Sequence, residues 1–134
     1  MIRKLGHEVD GRITAASARE QFLRDVLSDV AELPQSVRTS STAACCTKFA
    51  EGVGLTLAGI PEARTAVFDD DDGAVTLTAH SKATRRQISF EFQRDGRSIH
   101  VVKIDEYMTR TECHAEASDT SVLLEAIHWL GGRS

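Results

Sequence analysis

Apolar positions recur at helical spacing in three stretches of the chain and alternate in a fourth. Across residues 14–33, Phe22, Leu23, Val26, Leu27, Val30 and Leu33 fall on one stripe, and Gln21, Arg24, Asp25, Ser28, Asp29 and Glu32 fall opposite. This predicts an amphipathic helix. Ser17-Ala18-Arg19-Glu20 matches a capping box, with Thr14 as the rival cap, and Pro34 disfavours continuation past Leu33. Residues 1–13 carry little periodicity and a turn signal at Asp10-Gly11, which reads as an arm with room for a short strand. A second helix is predicted over 41–58, where Ala43, Cys46, Ala50, Val53 and Leu57 recur at spacings of three and four. Ser40, Ser41 or Thr42 would cap it. Gly52 and Gly54 weaken it, so it ends near Gly54 or runs on to Gly59; small residues there would let a neighbour approach closely.

After Pro61 the period shortens to two. Arg64–Phe68, Ala74–His80, Arg86–Arg94, Arg97–Ile104 and Tyr107–Ala115 read as strands. Asp69–Asp72 with Gly73 is a turn, Ser81–Thr84 a loop, and Asp95-Gly96 a two-residue hairpin turn. That turn sets a register in which Arg94 faces Arg97, Phe92 faces Ile99 and Phe90 faces Val101, so the apolar faces coincide. The Arg97–Ile104 strand is apolar on both faces and is expected to be central; the Thr-bearing last strand is expected at an edge. Asp119 or Ser118 then caps a terminal helix with Val122, Leu123, Ala126, Ile127 and Leu130 as its buried stripe, ended by Gly131-Gly132. The order is two helices, an antiparallel meander of about five strands, and a closing helix on one sheet face. That is an α+β fold, in one domain after the arm. No internal repeat or linker divides it.

The stretch from Asp72 to Asp105 resembles a loose group of small bacterial proteins of unassigned function. Their pattern is roughly D-G-x-V-x-L-x-W-H, then R-x-L-x-I-E-I, then a D-G turn and another strand. Here Asp72-Gly73-Ala74-Val75-Thr76-Leu77-Thr78-Ala79-His80, Arg86–Phe92 and Asp95-Gly96 follow it, with Ala79 in place of the Trp. The likeness implies an arrangement of helices around a sheet and no activity. Acidic α+β domains of this size also include secretion-chaperone-like proteins, an analogy of layout that carries no function.

Composition adds limits. The chain has 134 residues and a net charge of −4. Residues 1–63 contribute −1 and residues 64–134 contribute −3; the Asp69–Asp72 turn alone holds four carboxylates. Without a basic excess, and with only seven aromatic residues, nucleic-acid binding is disfavoured. No apolar run reaches the ~20 residues that cross a bilayer, and no apolar region follows the early Arg3-Lys4, so a cytoplasmic protein without membrane contact is expected. Three cysteines, Cys45, Cys46 and Cys113, argue for reduced thiols over a disulfide scaffold.

Candidate chemistry is sparse. The aspartate run lacks the alternation of a calcium loop. Cys45-Cys46 lies near a helix N-terminus, where a thiol pKa would fall, but no matched His base accompanies it. Neighbours on a helix diverge by ~100°, so at most one should face the core, Cys46 being the better placed. Cys113, His114, His80 and His100 lack zinc-ligand spacing, and Cys113 and His114 should face opposite sides of a strand. His100 falls opposite Glu91, a satisfied cross-strand pair. Glu91 and Glu112 could lie together on the polar sheet face, as paired carboxylates for acid–base work or, the preferred reading, as part of a solvated outer face. Arg85-Arg86 and Arg94/Arg97 form small basic clusters at hairpin ends. No catalytic, cofactor or metal motif appears. The expectation is a non-enzymatic interaction or accessory module with a protein partner or a second copy of itself. The alternative is a small enzyme or ligand-binding protein. The candidate surface is Glu91, His100, Glu112, Arg85 and Arg86.

Overall fold

A computed structural model of the protein describes residues 11–70 and 72–133. Helix α1 spans Gly11–Ala31, α2 Gln35–Arg38, α3 Ser41–Glu51, and a 3-10 helix Val53–Gly59. Five strands follow, β1 Ala63–Asp69, β2 Val75–Ser81, β3 Arg86–Phe92, β4 Ser98–Ile104 and β5 Arg110–Glu116, and α4 Thr120–Leu130 closes the fold. The strands form one antiparallel sheet in the order β1-β2-β3-β4-β5. The α+β architecture with its C-terminal helix is therefore the one the periodicity predicts.

The helices cover one sheet face. Val75, Leu77, Ala79, Ile88, Phe90, Phe92, Ile99 and Val101 point toward them and are essentially inaccessible. Phe22, Val26, Val30 and Leu33 meet this layer from α1 and the turn after it, Cys46 and Phe49 from α3, and Leu123, Ile127 and Leu130 from α4. Each fully buried large side chain contributes about 1.5–3 kcal/mol. Phe49 anchors the join, with its ring centroid 4.8 Å from that of Phe90 and 5.4 Å from that of Phe92.

Local expectations need several corrections. Residues 1–10 of the arm lie outside the described residues, and Gly11 to Ile13 already belong to α1. Ser17 and Thr14 are therefore interior to the helix and do not occupy its N-cap position. The helix ends at Ala31, where Glu32 and Leu33 donate to Asp29 and Val30 in i→i+3 bonds that tighten the last turn. Leu27 is 45% exposed because the buried line runs through Phe22, Val26, Val30 and Leu33, leaving it on the flank. Helix α2 has no periodic signature at four residues. The second predicted helix stops at Glu51 and tightens into the 3-10 segment. Ser40 caps it, its Oγ accepting from Ala43 N–H at 3.3 Å. Gly54 permits the change of course: a Cβ there would sit 2.6 Å from the Phe49 ring.

In the sheet, Phe90 pairs with Val101 and Phe92 with Ile99, the register read from Asp95-Gly96. The turn is wider than two residues, and Arg94 and Arg97 lie within it unpaired by the ladder. Gly96 N–H donates to the Gln93 carbonyl at 3.1 Å with Gly96 at φ 77°. Asp95 Oδ1 accepts from the Arg97 and Ser98 N–H groups, which holds the chain in that wider path. β3 is the central strand; β4, apolar on both faces, lies between β3 and the edge strand β5. Residues Tyr107 to Thr109 form a turn and do not belong to β5. In α4, Val122 is 41% exposed and leaves the stripe. Asp119 occupies the N-cap position, but its Oδ2 accepts from Glu116 N–H and caps no helical donor.

Candidate functional site

Strand alternation puts a second, polar set of side chains on the face away from the helices. Along one row, Phe68, Thr76, Glu91, His100 and His114 stand opposite one another across all five strands. His100 is its hub. Its Nδ1 lies 2.9 Å from Glu91 Oε1 on β3, and its Nε2 lies 2.7 Å from Glu112 Oε1 on β5. Arg110 Nε donates to the other oxygen of Glu112 at 2.8 Å. The His114 ring stacks on His100 with centroids 4.6 Å apart. Both ring nitrogens of His100 thus face carboxylate oxygens, and both bonds are made together when the ring carries two N–H donors. The Glu112 carboxyl is held below the ordinary range, first by the Arg110 hydrogen bond.

The sequence-derived surface is split by the fold. Glu91, His100 and Glu112 are brought together. Arg86 sits at the far end of β3, roughly 16 Å along the strand from Glu91, on the helix-side face. There its guanidinium donates to Glu106 at 3.1 Å and to the Trp129 carbonyl at 2.7 Å, and stands 4.9 Å from the Trp129 ring centre. It latches the end of α4. Arg85, in a left-handed conformation at φ 62°, is an exposed turn residue.

Both adjacent cysteines of α3 are buried, where one was expected to face away. Cys46 faces the sheet and Cys45 the β3–β4 turn. Burial, then the Asp95 charge, pushes the Cys45 thiol up despite Lys48. Burial pushes Cys46 up to about 12. The helix N-terminus thus activates neither thiol. Cys113 is exposed on the opposite side of β5 from His114, as alternation requires. The aspartate turn is organised by Asp70, whose Oδ1 accepts from the N–H groups of Asp72 and Ala74. Among the described residues, no three His, Cys, Asp or Glu side chains stand close enough to hold a metal ion. None of the described helices is long and apolar enough to cross a membrane.

A surface hollow of about 710 Å³ runs between α3, the β3–β4 turn and the start of α4, with Ala44, Phe49 and Val53 in its wall and Lys48, Arg97 and Glu116 at its margins, away from His100.

One feature escaped the sequence reading altogether. The turn between β4 and β5 projects Tyr107, 82% exposed, and Met108, 79% exposed. Asp105 makes this turn rigid. Its Oδ1 accepts from the N–H groups of Tyr107 and Thr109, its N–H donates to the Thr109 carbonyl, and its carbonyl accepts from Met108 N–H. Met108 is held left-handed at φ 68°. The available signal was Asp105 itself, an Asx-turn former two residues before the aromatic.

No family model matches this chain, and no curated protein or solved structure is significantly similar to it.

Proposed function

We propose that this chain is a non-enzymatic protein-interaction module of accessory or regulatory kind. The observation that carries this reading is the β4–β5 turn. Four hydrogen bonds to Asp105 hold open a tip whose two large side chains touch solvent over most of their surface. Tyr and Met are enriched where proteins meet, and a pre-ordered anchor loses little conformational entropy on docking. The partner is a protein offering an apolar pocket for Tyr107.

The enzyme alternative centred on Glu91 and His100 has less support. General acid–base catalysis needs a ring nitrogen aimed at substrate in a concave site. Here both nitrogens are engaged by carboxylates, and none of the hollows described on this surface is lined by Glu91, His100 or Glu112.

The test compares wild-type chain with Tyr107→Ser/Met108→Ser as bait in extract of the source cell, after circular dichroism shows matching folds. One protein recovered stoichiometrically by the wild type, and about tenfold less by the variant, supports the reading. Equal recovery by both, or none by either, overturns it.

A further inference from the structure

The two edges of the sheet are finished differently. On β1, the outward N–H of Val67 is taken by Asp29 Oδ2 of α1 at 3.0 Å, across 38 residues of chain. Among the described residues, no strand pairs with the outer side of β5. The phase of that edge follows from the bonds that continue its ladder. Asp105 N–H donates to Thr109 and Ala117 N–H to Arg97. These belong to the same series as the Lys103–Thr111, Val101–Cys113 and Ile99–Ala115 pairs. Those residues of β5 therefore turn their backbone groups toward β4. Arg110, Glu112, His114 and Glu116 turn theirs outward.

We propose that β5 is a homodimerisation edge: two copies pair their β5 strands antiparallel about a two-fold axis at Cys113, joining both sheets into one. The proposal deepens the interaction-module reading by naming a second copy as a partner, on a surface separate from the Tyr107–Met108 tip. Charge complementarity selects that occupant and register. Centred on Cys113, all seven residues of the strand are paired. Arg110 faces Glu116 of the second copy, Glu112 faces its His114, and Thr111 faces its Ala115. Each rung occurs twice. Shifting the in-phase register by two residues sets Glu112 against Glu112, or Glu112 against Glu116 and His114 against His114. Like charges directly opposite, as in the Glu112–Glu112 and Glu112–Glu116 rungs, destabilise a ladder. The Glu112–His114 rungs exchange both backbone hydrogen bonds. The outer rungs use the Glu116 carbonyl alone, since the Glu116 N–H is already held by Asp119. An isologous contact of this kind closes on itself. A single strand edge is small for an interface, so the dimer is reversible and concentration-dependent.

The two Cys113 residues meet at a non-hydrogen-bonded position, where Cα atoms lie ~4.5 Å apart, inside the range a disulfide spans. This gives a direct probe. Oxidised glutathione would accept two electrons and two protons from the two thiols, giving one Cys113–Cys113 disulfide and two glutathione molecules.

The test is sedimentation of the full chain over a thousandfold range of concentration, followed by mild oxidation with glutathione disulfide at the highest. A monomer–dimer equilibrium and a reducible covalent dimer, the latter lost in Cys113→Ser, are expected. His114→Pro removes one outward N–H without touching the β4 ladder, a position where an edge strand accepts proline. His114→Glu sets like charges opposite. Each should weaken dimerisation at least tenfold. Sedimentation as a monomer throughout, or a dimer indifferent to both variants, overturns the proposal. A Tyr107→Ser/Met108→Ser chain that dimerises normally but recovers no partner protein separates failure of the tip from failure of the edge.

Discussion

His100 Nδ1 lies 2.9 Å from Glu91 Oε1, joining adjacent strands on the sheet face opposite the packed helices. The pair is partly exposed, and exposed cross-strand ion pairs add little to stability. Glu91→Gln is therefore expected to lower unfolding free energy by about 0.2–1 kcal/mol, with an unchanged urea m-value. A loss of several kcal/mol in urea denaturation would mean that the pair organises the sheet and does not merely decorate it.

Gly54 is a position where one methyl group has a large effect. An added Cβ meets the Phe49 ring at 2.6 Å, and that ring is wedged against Phe90 and Phe92. Gly54→Ala is expected to destabilise by about 1–3 kcal/mol through overpacking. Gly59→Ala, where a Cβ meets nothing within 4 Å, serves as the control and should be near neutral. Calorimetric melting of the two variants side by side decides the matter.

Acid should loosen the β3–β4 turn at a definable point. The Asp95 carboxyl is held at about 2, against an ordinary 3.8, by the Ser98 hydroxyl first and then by the Ser98 and Arg97 N–H groups. A depressed folded-state value means stability that is complete above the ordinary pKa and lost as pH falls through the folded one. Stability should therefore decline from about pH 4 toward pH 2. Asp95→Asn should flatten part of that decline. Glu106, held down by its own backbone N–H and Arg86, and Glu112, held down by Arg110, act in the same direction. Chemical denaturation at successive pH values reads all three, and an unchanged acid limb in Asp95→Asn would contradict the assignment.

Thiol chemistry should distinguish the cysteines sharply. Cys113 is exposed, whereas burial raises Cys45 and takes Cys46 to about 12. A chromogenic disulfide reagent is expected to titrate one thiol per native chain at neutral pH and all three after unfolding in guanidinium. Cys113→Ser should abolish the native signal. Fast reaction at Cys46 in that variant would show that α3 opens readily.

Much of the sheet was legible because two local signals agree. Alternation assigns the faces, and Asp95-Gly96 phases β3 against β4, which together set Glu91 against His100. Corrections arise where tertiary contacts override local pattern. Ser17 fits a capping box, yet α1 begins earlier and makes it interior. Asp119 is well chosen as a cap, yet Glu116 N–H captures its carboxylate. Leu27 and Val122 share the period of their stripes but lie at the flanks, where the sheet does not reach. Candidate site residues fared similarly. Parity along β3 already separates Arg86 from Glu91, while the stacking of His114 on His100 needs the β4–β5 register, which no turn signal announces. Tyr107 and Met108 read as strand because they lead into the Thr-rich run that ends at Ala115, and the hydrogen bonds of Asp105 prevail.

The Asp29 carboxylate on the Val67 N–H has a consequence for polymerisation. Fibrillar growth by strand addition requires a bifunctional unit, with an acceptor at each end of its sheet. Among the described residues, Asp29 occupies the β1 edge at Val67, and the pairing proposed for β5 would consume the other edge. On that proposal the chain would act as a terminator and not as a propagating unit.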